Sequence, residues 1–177
     1  MKKIIQLLFI ALFYSCTTAL AAETPLIIRN SLDKQFLVGS ATLKFLGMKV
    51  YDISLWSEVP KFSYEKSFAI HIKYNMNFSR DELAKRSITE IERLHKLSEK
   101  DKKIYLNNLN LILHSVKKGD EKVAIFIPSK GVKMFHNNEE TGAISDLKLS
   151  RLFVDIWLDE KGSYPEVTKQ VLGKPNL

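Results

Sequence analysis

The fold is decided by residues 117–158, which read KKGDEKVAIFIPSKGVKMFHNNEETGAISDLKLSRLFVDIWL. Two short apolar runs, 123–127 and 132–135, flank a turn at 128–131 that begins with proline and ends with glycine. Apolar runs joined by such a turn predict two paired strands. The stretch contains no catalytic motif, so its value lies in the scaffold that it predicts.

The second half of this stretch predicts a loop and then a helix. Asn137, Asn138 and Gly142 are turn-forming residues, and they predict a loop after the second strand. Asp146 then precedes apolar residues at helical spacing that continue to Leu158, as expected of a capped amphipathic helix. The order of elements is therefore strand, turn, strand, loop, helix.

Further strands and helices come before this stretch. Alternating or apolar patterns predict strands at 36–45, 48–56 and 68–74. Helices are predicted after Ser79 and Ser98, each of which is followed by acidic residues in the first turn. Strands and helices come in runs rather than in strict alternation, which favours an α+β fold with helices packed on an antiparallel sheet.

The N-terminus has the pattern of a secretory signal peptide. A basic pair, Lys2-Lys3, precedes an apolar run at 4–13 and a small-x-small site at 19–21. We therefore predict a cleaved signal peptide at 1–21, one mature domain at 22–177, and a periplasmic or secreted protein. An uncleaved anchor and lipidation at Cys16 remain as alternatives. Cleavage would leave no cysteine, which excludes thiolate chemistry from the mature domain.

The charge of the chain is moderate and mixed. It carries 27 Lys and Arg against 20 Asp and Glu, a formal net charge of +7, and loss of Lys2 and Lys3 with the signal peptide lowers this to +5. Basic residues mix with acids, as at 96–103, whereas nucleic-acid-binding proteins cluster them with aromatic residues. We expect no nucleic-acid partner, and weak attraction to an anionic membrane surface remains open. The sequence leaves the oligomeric state undetermined.

No metal or cofactor is predicted. The sequence has no glycine-rich phosphate loop and no serine nucleophile elbow. No two histidines stand four residues apart on one predicted helix, a spacing that would favour a metal site. The four histidines are His71, His95, His114 and His136.

Four residues are candidates for ligand binding. Lys44 lies in an apolar strand, and Tyr51 lies on the next strand, so a cation and a phenol over an apolar pocket would suit a carboxylate with an apolar tail. Trp56 and Trp157 each end an element and would border the apolar part of the pocket. The alternative interpretation is a solvent-facing lysine, a core tyrosine and tryptophans that seal the core.

The sequence as a whole resembles the bacterial chalcone isomerase-like proteins over residues 38–173. The resemblance rests on the order and spacing of many short motifs. These are Val38-Gly39, FLGMKVYD at 45–52, Leu55-Trp56, Ile72-Lys73-Tyr74, Asp81-Glu82-Leu83, ITEIE at 88–92, VKKGD at 116–120, Pro128 with Gly131, Phe135 with Asn137, GAISD at 142–146, Phe153, Ile156-Trp157-Leu158, Pro165 and Val171-Leu172-Gly173.

The resemblance implies an open-faced β-sandwich, in which a large antiparallel sheet is layered with helices. It also implies a cleft that takes a flavonoid precursor or a fatty acid in plant members. The plant enzyme uses an arginine on an early strand and a threonine five residues before the tyrosine of its Gly-Val-Tyr motif. That tyrosine matches Tyr51, but Leu46 stands five residues before it, and no arginine lies between Arg29 and Arg80.

Three functional hypotheses follow. The first is a non-catalytic, periplasmic protein that binds a small lipophilic ligand such as a fatty acid through Lys44, Tyr51 and the two tryptophans. The second is an isomerase of the intramolecular lyase type, with Tyr51, Lys44 or Glu90 as acid or base. The third is an interaction module of the cell envelope.

Overall fold

The computed structural model of the protein describes residues 24–175. The predicted signal peptide, its cleavage site and Cys16 lie outside the described residues. In the described part of the chain, no helix combines the length and the apolar character needed to cross a membrane.

The core of the structure is one six-stranded antiparallel sheet. Each strand pairs with its neighbour in the chain, so the spatial order is the sequence order, although two helices intervene between the third and fourth strands. The predicted α+β fold class and open sheet layered with helices are therefore confirmed. The strands are β1 Phe36–Phe45, β2 Met48–Ser57, β3 Phe68–Tyr74, β4 Glu121–Ile127, β5 Gly131–His136 and β6 Glu139–Ile144.

The prediction of a loop after β5 is wrong, because β6 occupies most of that segment. Asn137 and Asn138 both have positive φ, 48° and 71°, and form the tight turn of a hairpin between β5 and β6. Gly142 lies within β6 at φ 145°, where a Cβ would approach the Ile112 side chain to 2.7 Å. The same turn-forming residues thus serve a hairpin and a close helix contact.

Within residues 24–175, five helices accompany the sheet, and three begin at side-chain caps predicted from the sequence. Ser79 and Ser98 accept hydrogen bonds from the backbone N–H of Glu82 and Asp101, and Asp146 caps a later helix in the same way. The helices are α1 Leu26–Ser31, α2 Arg80–Leu94, α3 Glu99–Ile112, α4 Leu147–Leu158 and α5 Pro165–Val171.

The two faces of the sheet are covered differently. Helices α2 to α5 cover one face, and the predicted core side of β3 (Phe68, Ile70, Ile72 and Tyr74) packs there. The unpredicted helix α1 covers part of the other face, where its buried residue Ile28 packs with Trp56 and with alternate residues of β3 and β4. Both faces of the central strands are therefore buried, and the site lies on the face covered by α2 to α5.

Candidate ligand-binding site

A cavity of about 440 Å³ lies between the sheet and helices α2 and α4. This volume is within the range of small-molecule sites, which are concave and mostly apolar with a few polar groups. Most of its wall is aliphatic or aromatic. Lining side chains from the strands include Leu43, Ile70, Ile72, Ala124 and Met134, and those from the helices include Leu83, Phe153, Ile156 and Trp157.

Helix α2 contributes one face to the cavity wall. Leu83, Arg86, Ser87 and Glu90 all line it, and their spacing of three, four and seven residues places them on one side of the helix. A single helix face therefore brings an apolar residue, a hydroxyl and two opposite charges to the same cavity.

The two charges of α2 are paired with each other. An Nη of Arg86 lies 2.6 Å from an Oε of Glu90, and the Ser163 hydroxyl donates to the Glu90 carboxylate at 2.8–2.9 Å. The carboxylate is buried, with 6% of the residue exposed. These partners hold the buried carboxylate in one position. We call Arg86, Glu90 and Ser163 the paired group.

Tyr51 and Trp157 meet beside this group. Burial raises the pKa of Tyr51 to about 12, against a hydrogen bond with Trp157 that lowers it. The indole N–H can only donate, so it donates to the phenol oxygen. At neutral pH the phenol is therefore uncharged and suited to hydrogen bonding rather than to proton abstraction. The structure brings these two predicted residues together at the cavity, and their role in binding stays a prediction.

Lys122 is a cavity residue that the sequence analysis missed. It lies on β4 opposite Ile72 and His136, it is 4% exposed, and its Nζ has no hydrogen-bond partner among residues 24–175. Burial lowers its pKa to about 8, against the charge of Asp120, which raises it. The predicted strand began one residue later, at 123. A lysine within a strand buried on both faces is the signal that would have identified it.

Lys44 and Trp56 are not brought to the cavity. Lys44 is exposed on β1, opposite Lys49, next to an irregularity in the pairing of β1 with β2. Trp56 points to the face covered by α1, where its indole N–H donates to the Ser54 hydroxyl at 3.0 Å. Residues 51 and 56 differ by an odd number, so strand alternation places them on opposite faces. The expectation that all four candidates contact one ligand is therefore corrected.

Nothing in residues 24–175 indicates a metal centre, since no three His, Cys, Asp or Glu side chains there are grouped as a metal site requires. The charged residues of the described cavity wall include Arg86 and Glu90 of the paired group and the buried Lys122.

The fold and the cavity define a class of protein in which an apolar cavity lies between an open antiparallel sheet and the helices that cover it. The chain belongs to the chalcone isomerase-like family, whose sequence model matches residues 30–173. The fold is similar to the crystal structure of a fatty-acid binding protein from Arabidopsis thaliana, with a TM-score of 0.63 and 11% identity over 80% of this chain and 88% of that chain. Sequence comparison with curated proteins found no match.

Proposed function

We propose that this protein binds a small lipophilic ligand such as a fatty acid, without catalysis, in the periplasm or outside the cell. The observation that carries the proposal is the cavity of about 440 Å³ with its largely apolar wall. Burial of an aliphatic tail against such a wall stabilises a complex roughly in proportion to the apolar area removed from water, about 25 cal/mol per Å². The similarity in fold to a fatty-acid binding protein supports the ligand class.

The candidate acid–base residues support binding over isomerisation. The phenol of Tyr51 has its pKa raised to about 12, so it is a poor base at neutral pH. The Glu90 carboxylate already contacts the Arg86 guanidinium and accepts a hydrogen bond from the Ser163 hydroxyl. The position that matches the enzyme's threonine carries Leu46, which is 84% exposed and has no hydroxyl. Recovery of an isomerised ligand after incubation would contradict the non-catalytic part of the proposal.

The two tryptophans allow a direct test. Delipidated protein is titrated with a fatty acid that carries bromine on its tail, which quenches nearby tryptophan fluorescence. Trp157 lines the cavity and Trp56 lies on the other face of the sheet. We expect saturable quenching that Trp157→Phe abolishes and Trp56→Phe retains. The opposite pattern, or no saturable quenching, would reject the cavity as the binding site and leave the interaction-module hypothesis.

A pair of matched substitutions tests whether the cavity is the space occupied. Ala124 lines it, whereas Ala143 is exposed on β6. Ala124→Phe fills part of the cavity and should weaken binding, while Ala143→Phe should leave it unchanged. Circular dichroism and unfolding curves of both variants show whether the fold is retained. Equal binding by both variants would place the ligand elsewhere.

The proposed location is tested at the N-terminus of the mature protein. N-terminal sequencing after expression in a host with a periplasm should begin at Ala22 if the predicted signal peptide is cleaved after Ala21. Retention of Met1 in the cytosolic fraction would reject a periplasmic or secreted protein.

A further inference from the structure

We propose that the Nζ of Lys122 binds the carboxylate of a lipophilic acid inside the cavity and thereby selects acids over neutral lipids of the same length. The inference rests on the proposed function, because it assumes that the cavity holds a lipophilic ligand. It assigns the recognition of the head group to β4, not to Lys44 on β1.

The surroundings of Lys122 favour the binding of an anionic ligand. Its side chain shares the helix-facing side of the sheet with Ile72, its partner on β3, and with Ala124, two residues along β4. In the described part of the chain, no group forms a hydrogen bond with the buried Nζ. A buried cation without a partner is unfavourable, and a carboxylate that accepts hydrogen bonds from it compensates the cost.

The nearby acids of the protein are engaged elsewhere. Asp120 accepts hydrogen bonds from the Asn137 side chain and the Lys117 backbone, and one of its oxygens lies 3.1 Å from His136. Both of its carboxylate oxygens are therefore engaged, and no described residue lies within hydrogen-bond range of the Lys122 Nζ as a counterion.

The two acids that line the cavity are also engaged. Glu90 belongs to the paired group. Glu82 accepts hydrogen bonds from the backbone and hydroxyl of Ser79 at the start of α2. A carboxylate brought by the ligand would therefore complete the pairing of Lys122.

The position of Lys122 also sets the orientation of the ligand. β4 lies two strands from β2, which carries Tyr51, a separation of roughly 10 Å at ordinary strand spacing. The head group would lie beneath β4, and the tail would extend along the apolar wall towards Trp157. Lys122 would act as a specificity determinant, while the apolar wall would supply most of the affinity.

The test compares two ligands that differ in the head group. Lauric acid and 1-dodecanol have the same chain length, and their affinities for the delipidated full-length protein are measured by competition at pH 7. We expect the acid to bind more tightly, and Lys122→Met to weaken acid binding roughly tenfold to a hundredfold, as expected for loss of a hydrogen bond between charged groups. Dodecanol should bind the variant as well as the wild type or better, which also shows that the variant is folded.

Two other lysines provide controls. Lys133 is exposed on β5, paired with Glu140, and Lys44 is exposed on β1. Lys133→Met and Lys44→Met should leave the preference for the acid unchanged. Equal affinity for acid and alcohol in the wild type, or an unchanged preference in Lys122→Met, would overturn the assignment of Lys122. Failure of the wild type to bind either ligand would instead overturn the proposed function.

A second inference concerns the tip of the β1–β2 hairpin, residues 44–49 (KFLGMK), and does not depend on the cavity ligand. All six residues are exposed, including Leu46 at 84% and Phe45 and Met48 at 53% each. Leu46 and Gly47 both have positive φ, 49° and 80°. Such turns favour Asn-Gly, so a leucine here is strained and presents its side chain to solvent.

We infer that this hairpin tip inserts into the interface of a bilayer that contains anionic phospholipids. Apolar residues that project between two cations suit both the boundary of the acyl chains and the negative head groups. Lys44 and Lys49 flank the apolar tip directly and provide the complementary charge. Phe45 also lines the cavity, so the tip would bring the cavity wall close to the bilayer.

The test is co-sedimentation with vesicles of phosphatidylglycerol and phosphatidylcholine, compared with vesicles of phosphatidylcholine alone. Leu46→Asn suits the turn and should retain the fold, yet it should reduce the partition constant roughly tenfold because the leucine no longer inserts. Leu111 is 77% exposed on α3, so Leu111→Asn is the matched control. Equal partitioning of the two variants, or no preference for the anionic vesicles, would reject the proposal.

Discussion

Two sets of charged side chains border the same cavity, and they differ in how their charges are satisfied. In the paired group, the Glu90 carboxylate contacts the Arg86 guanidinium and the Ser163 hydroxyl. On β4, the Nζ of Lys122 is also buried, but none of the described residues forms a hydrogen bond with it. The comparison indicates that a buried charge with internal partners stabilises the fold. A buried charge without internal partners is instead suited to bind a group from outside the chain.

The largest expected effect is on stability when the unpaired charge is removed. Burial lowers the pKa of Lys122 from 10.5 to about 8. At roughly 1.4 kcal/mol per pH unit, this shift corresponds to about 3 kcal/mol of lost stability at pH 7. Lys122→Met should therefore raise the free energy of unfolding of the ligand-free protein by about 3 kcal/mol, as measured by urea denaturation.

The pH dependence separates this charge effect from packing. Between pH 8 and 10.5 the unfolded chain binds more protons at residue 122 than the folded protein does, so the stability of the wild type rises with pH. The difference in free energy of unfolding between Lys122→Met and wild type should be constant below pH 8 and should disappear by about pH 10.5. Lys133→Met should show no such change. A gap independent of pH would mean that the cation already has a partner in the folded protein.

The next largest effect should come from the paired group, and with the opposite sign. Ser163→Ala removes a hydrogen bond to the buried carboxylate of Glu90 and should lower the free energy of unfolding by about 2 kcal/mol. Because this group is structural, the preference for acids over alcohols should not change. Ser145 is exposed, and Ser145→Ala should alter stability by less than about 0.5 kcal/mol. If Ser163→Ala changed the preference for acids over alcohols, the paired group would be part of the binding site.

The fold could be predicted wherever local patterns agreed with tertiary burial. Strand β3 alternates clearly and was predicted at its observed bounds, and Ser79 and Ser98 correctly marked the starts of α2 and α3. Helix α1 was missed because six residues give little periodicity, and its position depends on burial against the far face of the sheet. Strand β6 was missed because the turn-forming residues before it and within it are also typical of a loop.

The site was less predictable, because depth in a sheet is a tertiary property. Strand alternation puts Tyr51 and Trp56 on opposite faces, but only the structure shows that Tyr51 is on the face covered by α2 to α5. For Lys44 and Lys122 the local sequences are similar, since each lysine stands next to apolar residues. Their environments differ because Lys44 lies near the end of the edge strand β1, whereas β4 is central and buried on both faces.

The smallest expected effect concerns Lys44, the cation that the sequence analysis named as a candidate for ligand binding. Lys44→Met should change the free energy of unfolding by less than about 0.5 kcal/mol, because an exposed side chain on an edge strand loses little on substitution. Its affinity for lauric acid should equal that of the wild type, measured under the conditions used for Lys122→Met. A loss of acid binding in Lys44→Met, with no loss in Lys122→Met, would return head-group recognition to β1. The contrast between the two charged sets would then concern stability alone, because the unpaired cation would have no part in selecting the ligand.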